Sequence, residues 1–406
     1  MQTRGFILNI LVLNSGSSSI KYNLWEMTEK KLLCKGMIEK IGKDDSFMTF
    51  SANDDKKTFQ KVIKNYHDGI QFILDTITNK ENGVLKNIKD INAVGHRVVH
   101  GGEKITQPEI ITPEVKAIIE ECSSLAPLHN PPNLEGIRTI EKALPGVPNV
   151  AVFDTAFHST IPPKSYIYPL PYEFYEKYKI RRYGFHGTSH QYVSLKAAEI
   201  LNIPYSEFNC ITCHFGNGAS IASIKRGASV DTTMGFTPLA GLPMGTRTGD
   251  IDPAIILYMI QQLGYTPEQV NDIINKKSGF LGMSGISSDM REIREAVKKR
   301  DYRAKLTIKV FAHSAKRLIA AMTPELEGKL DAIIFTGGIG ENSGLTREMI
   351  CRGLSIIGAN LDAEKNKITK GEGIVSKDDS PVKIMVVPTN EELMIALETQ
   401  RLTAGK

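Results

Sequence analysis

Two stretches of this chain share one layout. Residues 11–22 (LVLNSGSSSIKY) and 212–223 (TCHFGNGASIAS) each read as a buried strand, a turn of small and polar residues, and a second strand. One opens each half of a 406-residue chain, which is long enough for two domains with a core apiece. The repeat therefore predicts a duplicated domain with a cleft between the halves. Short strand-like runs (7–13, 93–99, 149–153, 210–215, 221–225, 332–336 and 382–388) alternate with helical patterns (67–78, 113–122, 130–143, 191–201, 253–262, 289–299 and 301–322). That alternation marks an α/β fold. The stretch 162–178, rich in Pro and Tyr, breaks the periodicity and is the expected linker. The expected domains are 1–160 with 385–406, and 161–384.

Hydrophobic residues at 41% and charged residues at 23% are ordinary for a cytosolic globular protein. The net charge of +5 fits a slightly lysine-rich surface as well as a preference for small anions. No basic run is interleaved with aromatics, so nucleic acid is not an expected partner. Cys34, Cys122, Cys210, Cys213 and Cys351 are odd in number and scattered, which fits a reducing, cytoplasmic setting. The pair Cys210 and Cys213 has redox-motif spacing. On a strand, however, an offset of three sends the side chains to opposite faces. The N-terminal apolar run leads straight into the first turn and reads as a strand rather than a signal peptide. No apolar run approaches the roughly 18 residues that a membrane span requires.

Four sets of residues could carry chemistry. In Asn14-Ser15-Gly16-Ser17-Ser18-Ser19-Ile20-Lys21, a tight turn presents N–H groups and hydroxyls suited to phosphate oxygens, with Lys21 beside them. A solvated hairpin turn is the alternative. The chain lacks GxxxxGK[ST], so this is not a Walker loop. The second set, HFGNGAS at 214–220, is again a strand running into a turn that lets backbone approach a ligand, or else a hairpin with a structural His. The third, Gly337-Gly338-Ile339-Gly340-Glu341-Asn342, follows an apolar run. The last glycine of a dinucleotide fingerprint would fall at Ser343, so it reads as a loop against a flat base or ribose.

The fourth set supplies charge: Arg97 in GHRVVHGG, Arg247 in MGTRTGD, and Asp154 ending a strand. Arginines among glycines on loops are seldom there for packing, with a surface ion pair as the alternative. Glu391 opens the last helix and could cap it or hold a metal. His96/His100 and His186/His190 have i,i+4 spacing, yet neither pair has the Glu of HExxH and the glycines around them argue against a helix. Metal ligation by these histidines is not expected.

Together LVLNSGSSSIKY, GHRVVHGG, PLHNPPNL, VAVFDTAFH, RRYGFHGTSH, HFGNGAS, SVDTTMGFTPLAGLPMGTRTGDIDP, SGFLGMSGISSDMRE, FTGGIGEN and PTNEEL resemble the acetate kinase family, in order and over essentially the whole chain. The resemblance implies a duplicated, ribonuclease-H-like α/β fold of the actin/Hsp70/sugar-kinase type. Two domains would flank an ATP cleft, the chain's end would return to the first domain, and the protein would be a homodimer. It implies Mg²⁺, with Mn²⁺ as a substitute, beside Asn14 and Glu391. Ser17, Ser19 and Lys21 would belong to the first phosphate-side loop. Arg97 and Arg247 would bracket the transferred phosphoryl, with His186 as a third donor and Asp154 as the active-site carboxylate. His214, Asn217 and Gly218 would line the ATP phosphates. Asp289, Arg291, Gly337, Gly338, Ile339, Gly340 and Asn342 would form the adenosine site. Val99, Leu128, Phe185 and Pro238 would enclose the acetate methyl. Met283 and Met290 depart mildly from the family pattern.

The implied reaction is reversible transfer of the ATP γ-phosphoryl to acetate, giving acetyl phosphate and ADP. A carboxylate at neutral pH has no proton to lose, so no general base is required. The difficulty is bringing one anion up to another, which positioning and charge stabilisation address. Asp154 is therefore expected to orient groups or a metal's water shell, and the transfer to be direct and in line. Rival expectations are a propionate or butyrate kinase of the same fold, a sugar kinase with Asp154 as base, and an Hsp70- or actin-like ATP switch.

Overall fold

The computed structural model describes residues 8–404 except 54 and 82. The chain falls into two compact units, Met1–Ala156 with Asn390–Lys406, and Phe157–Thr389. The expected limit near 384 cuts through a strand, Lys383–Val386, whose parallel pairing with Ala332–Thr336 holds it in the second unit. The expected linker at 162–178 also lies within the second unit and carries two short helices, Pro163–Tyr166 and Glu173–Tyr178. It is tied down there: the Arg181 guanidinium stacks 3.5 Å above the Tyr166 ring, and the Arg182 N–H donates to the Tyr166 carbonyl at 2.8 Å.

The sheet of the first unit has eight strands: β1 (Asn9–Gly16), β2 (Ser19–Glu26), β3 (Lys31–Glu39), β4 (Phe47–Ala52), β5 (Asp55–Gln60), β6 (Ala93–Val98), β7 (Glu109–Ile110) and β8 (Asn149–Phe153). Their spatial order is β5-β4-β3-β2-β1-β6-β8-β7. In the second unit β9 (Cys210–Phe215), β10 (Ala219–Lys225), β11 (Ala228–Thr232), β12 (Ala332–Thr336), β13 (Gly373–Ile374) and β14 (Lys383–Val386) take the order β11-β10-β9-β12-β14-β13. Both sheets thus place an antiparallel meander (β1-β2-β3, β9-β10-β11) beside two further parallel strands (β6 and β8, β12 and β14). Each also ends in a two-residue antiparallel edge strand. The duplicated ribonuclease-H-like topology is present twice over.

The central strands are buried on both faces, as parallel strands sandwiched by helices must be. In the first unit Leu11, Leu13, Ile20 and Tyr22 pack with Ile70 and Ile73 of helix Tyr66–Ile77 and Ile140 of helix Asn130–Ala143. On the other face Ile10, Val12, Val150 and Val152 meet Ile395 and Ala396 of the C-terminal helix Glu391–Thr403. In the second unit Val193 and Ala197 of helix Gly187–Ile200 cover Cys210, Ile334 and Met385. Phe311, from helix Tyr302–Met322, meets Phe215 and Phe280 edge to face. Burial pushes the Cys210 and Cys213 thiols well up, which suits core packing rather than redox chemistry.

Register sets what these sheets present. Leu13 pairs with His96 and Val98 with Phe153, so the carboxyl ends of β1, β6 and β8 lie side by side. Such ends are where open α/β sheets bind ligands. The C-terminal helix crosses β6 closely, and Gly95 makes room for it: a Cβ there would lie 2.5 Å from Thr399 Oγ1 and 2.7 Å from Ile395 Cγ2. Gly95→Ala is therefore expected to destabilise the protein by about 1–3 kcal/mol through overpacking. A urea midpoint equal to that of the unaltered chain would contradict this account of the contact.

Candidate functional site

In the first unit the site grows from the ends of β1, β6 and β8. Arg97 is the penultimate residue of β6, within the run expected as a strand at 93–99. Asp154 follows β8, its N–H bonded to the Val98 carbonyl at 2.9 Å. The two side chains form a fork, Nε to Oδ1 at 2.9 Å and Nη2 to Oδ2 at 2.6 Å, with the carboxylate only 3% exposed. Bidentate geometry of this kind is the strong form of an ion pair. The remaining guanidinium nitrogen, Nη1, donates a long bond to Asn14 Oδ1 at 3.4 Å. Burial draws the Arg97 pKa down, but the charges of Asp154 and Glu391 more than offset it and leave it raised.

Asn390 caps the C-terminal helix by accepting from the Leu393 N–H at 3.0 Å, which makes Glu391 its first residue. Burial pushes the Glu391 carboxyl up to about 7; Arg97 opposes this, Asp154 and Glu392 add to it, and Lys21 opposes it again. Lys21 sits directly across from Asn14 in the β1–β2 register, and Gly16 pairs with Ser19 to leave Ser17 and Ser18 as the turn. The turn is anchored from behind. Ser15 O accepts from Asn133 Nδ2 at 2.7 Å, Gly16 O from the Tyr66 hydroxyl, and Ser18 O from Ile41 N at 3.0 Å. Asn133 Oδ1 also accepts from the Val99 N–H at 3.1 Å, so one amide ties the turn to the segment after Arg97.

In the second unit the corresponding turn joins β9 to β10. His186 precedes helix Gly187–Ile200 in the left-handed region at φ 59°, a strained position for a residue with a Cβ. The helix includes His190, against the sequence expectation that this stretch is not helical. The His186 ring stacks on His214 of β9 at 4.4 Å. Its Nδ1 lies 2.9 Å from Ser220 Oγ, and His190 Nε2 lies 2.7 Å from the same hydroxyl. Gly218 allows the convergence: a Cβ there would lie 3.3 Å from His186 Nε2 and 3.6 Å from Arg247 Nη1. Arg247 is held by the Pro238 carbonyl at 3.0 Å. Its loop runs against the turn through the Gly245 N–H, which donates to Asn217 O at 3.0 Å; a Cβ on Gly245 would fall 1.8 Å from Asn217 Oδ1.

Beside this turn lies a cavity of about 730 Å³, lined by Asn217, Asp289, Arg291, Gly338, Ile339 and Asn342 among others. That volume suits a drug-sized ligand. Asp289 caps helix Met290–Lys298 and grips the Arg291 guanidinium with both oxygens, leaving the outer face of Arg291 exposed. The expected loop at 337–342 is instead a short helix, Gly337–Asn342. Two residues not foreseen from sequence make it so. Glu341 Oε1 accepts from the Gly337 N–H at 2.9 Å and from the Thr336 hydroxyl, closing the helix start. Fully buried Arg347 donates to the Gly340 and Glu341 carbonyls at 2.7 and 2.9 Å, a cation at the helix's negative end.

The structure thus gathers Asn14, Lys21, Arg97, Asp154 and Glu391 in the first unit. It gathers His186, His214, Asn217, Gly218, Arg247, Asp289, Arg291 and the 337–342 helix in the second. The four residues expected around a methyl group are divided, with Val99 and Leu128 in the first unit and Phe185 and Pro238 in the second. Val99 and Phe185 are buried, whereas Leu128 is 68% exposed. Among the described residues no group of three or more His, Cys, Asp or Glu gathers as a metal cluster. No described helix is long and apolar enough to cross a membrane.

Known proteins resemble this chain along its whole length. The profile of the Acetokinase family matches residues 9–397. An acetate kinase from Thermoanaerobacter pseudethanolicus is 54% identical over 98% of this chain and 100% of its own length. One from Thermotoga maritima is 54% identical over 97% and 98%. Among solved structures, Porphyromonas gingivalis acetate kinase superposes with a TM-score of 0.94 at 45% identity, covering 97% of this chain and 99% of that one. A propionate kinase from Francisella tularensis gives 0.91 at 42%, covering 97% and 100%.

The Glu391 carboxyl yields a pH signature in the metal-free protein. Its folded pKa of about 7 lies above the model-peptide value of 4.5, so the folded state holds this proton more tightly than the unfolded chain. That contribution to stability is complete below pH 4.5 and is lost as pH rises through 7. Glu391→Gln removes the titration, so its melting temperature is expected to fall less than that of the unaltered chain across this window. Parallel melting curves from the two proteins would contradict the assignment.

Proposed function

The chain belongs to the acetokinase family, and from that premise we propose that it is an acetate kinase, transferring the γ-phosphoryl of ATP reversibly and in line to acetate. The whole-length likeness to acetate kinases supports the acid. The observation that carries a carboxylate acceptor rather than an alcohol is the Asp154 fork: both carboxylate oxygens are engaged by Arg97. A sugar hydroxyl needs a base to take its proton, and an acetate oxygen does not.

Each unit contributes part of the machinery. In the first, Arg97, oriented by Asp154, meets anionic oxygen, and the Ser17–Ser18 turn with Lys21 offers donors to phosphate. In the second, Arg247 and His186 point past Gly218 at developing charge, where cations act most strongly on phosphoryl transfer. The 730 Å³ cavity takes the adenosine, with the Arg291 plane and the 337–342 helix against it. Asn14 and Glu391 would hold Mg²⁺, or Mn²⁺ in its place. The donor set fits: both offer oxygen ligands, and burial pushes the Glu391 carboxyl up to about 7, so a divalent cation beside it would favour the carboxylate form. When bound, the ion supplies charge neutralisation at the phosphates.

Helix Ala254–Gln261 supports a homodimer. Its sequence, AIILYMIQ, is almost wholly apolar, yet none of its residues is buried. A second copy would cover Ile255, Leu257 and Tyr258; a monomer mass in sedimentation would sink this assignment. Buried cysteines without disulfides suit a cytoplasmic location.

Trapping the acyl phosphate as a hydroxamate, with acetate, propionate and butyrate compared, tests the function. Acetate is expected to give the highest kcat/KM, and equal or better turnover of propionate would assign the chain as a propionate kinase. An ATPase indifferent to any acid would refute the reading. Val99→Ala enlarges the methyl site by two methyl groups, and each carbon is worth about 0.8 kcal/mol on burial. Propionate should therefore gain on acetate by about 3- to 10-fold, and an unchanged ratio would remove Val99 from the pocket.

A further inference from the structure

Behind His186 lies a chain of side chains that the reaction just described does not use. Ser220 of β10 sits between two imidazoles, 2.9 Å from His186 Nδ1 and 2.7 Å from His190 Nε2. The far nitrogen of His190, Nδ1, lies 2.7 Å from Thr212 Oγ1 on β9, and Thr212 donates in turn to the Ala222 carbonyl at 3.4 Å. Ser220, His190 and Thr212 are completely buried, so no solvent competes for these bonds.

A serine hydroxyl has one hydrogen. Placed between two ring nitrogens, it donates to one and must accept from the other, so the tautomers of the two histidines are coupled. The far end favours one polarity, because the Ala222 carbonyl, 3.4 Å from Thr212 Oγ1, only accepts. Thr212 gives its hydrogen to Ala222 O and receives one from His190 Nδ1–H. His190 Nε2 is then a lone pair that accepts from Ser220, and Ser220 accepts from His186 Nδ1–H. Burial holds His190 neutral, with His158 and His214 acting in the same direction, in keeping with its single hydrogen.

We propose that Ser220 and His190 are positioning residues that lock His186 in the Nδ1–H tautomer, so that its Nε2 carries a hydrogen towards the phosphoryl only as the imidazolium. The consequence is a charge as well as a hydrogen bond. Neutral His186 would present a lone pair, a poor neighbour for phosphoryl oxygen, whereas the imidazolium adds a cation alongside Arg247. The titratable and charged groups of the second unit that face this ring are His214, stacked on it, His190 behind Ser220, and Arg247 across Gly218. The proposal deepens the acetate kinase reading and rests on its assignment of His186 as a phosphoryl donor.

The test uses the full-length, unliganded protein labelled with ¹⁵N-histidine. Long-range ¹H–¹⁵N spectra separate the two neutral tautomers, and loss of one signal set in His186→Gln assigns the ring. In the unaltered chain neutral His186 is expected as Nδ1–H. In Ser220→Ala it should shift towards Nε2–H, with kcat falling about 3- to 10-fold, the size of one hydrogen bond, and KM for acetate little changed. Thr212→Val, which keeps Ser220 but removes the group that sets the polarity, should move the tautomer in the same direction. An Nε2–H ring in the unaltered chain, or tautomers indifferent to both substitutions, would overturn the lock. Failure of the underlying reading looks different: the tautomer would respond as stated, while His186→Gln left kcat intact.

Discussion

The Arg97–Asp154 fork is the interaction on which the first unit's site depends. A carboxylate exposed by only 3% has little water to bond to and needs a protein partner for both oxygens. The fork supplies that partner, but only if β6 and β8 keep the register that pairs Val98 with Phe153 and brings the Asp154 N–H to the Val98 carbonyl. A slip by one residue would turn Arg97 to the opposite face of the sheet. Strand register and charge pairing therefore enforce each other. The same geometry turns the third guanidinium nitrogen towards Asn14 and sets Arg97 and Asp154, with Lys21 and Glu392, as the charges acting on buried Glu391.

The second unit reaches its arrangement by close approach instead. Among the described residues no carboxylate forks Arg247; a backbone carbonyl holds it, and burial lowers its pKa. Two absent side chains matter more. Gly245 lets the Arg247 loop lie against Asn217, and Gly218 lets His186 and Arg247 stand on either side of one point. His186 contributes a left-handed backbone, held because the helix after it, its stack on His214 and its bond to Ser220 all fix it in place. One topology, used twice, thus carries a charge-clamped arginine in one copy and a sterically placed one in the other.

Much of this was legible in the sequence, and the reason varies by element. Asn149–Phe153, Cys210–Phe215 and Ala332–Thr336 are almost wholly buried strands with polar or glycine borders, so their limits can be read directly. The strands β3 to β5 are half exposed, and Lys, Thr and Ser dilute their alternation below what a reader detects. Helix Pro267–Lys276 did leave a signal, the capping box of Thr266 and Gln269 with a proline at the first position. The 337–342 segment looks like a loop because glycine is a poor helix former; Glu341 and Arg347 supply the missing stability from outside it. The candidate residues were visible as motifs. Asn133, Ser220 and Thr212 fall in the same stretches, but their partnerships could not be read there, since those contacts arise from strand register and helix docking rather than spacing along the chain.

The chemistry of Asp154 follows from that same limitation of spacing. On sequence alone, an aspartate ending a strand beside phosphate-binding turns is equally at home as the base of a sugar kinase. Its two hydrogen bonds to Arg97 favour the role of an orienting carboxylate. As a base, the carboxylate would have to give up part of a bidentate, charge-assisted pair whose two oxygens are already engaged. An alcohol acceptor demands that sacrifice at every turnover. A carboxylate acceptor arrives already ionised and needs the guanidinium's charge more than it needs a base, so it asks for no change in the fork.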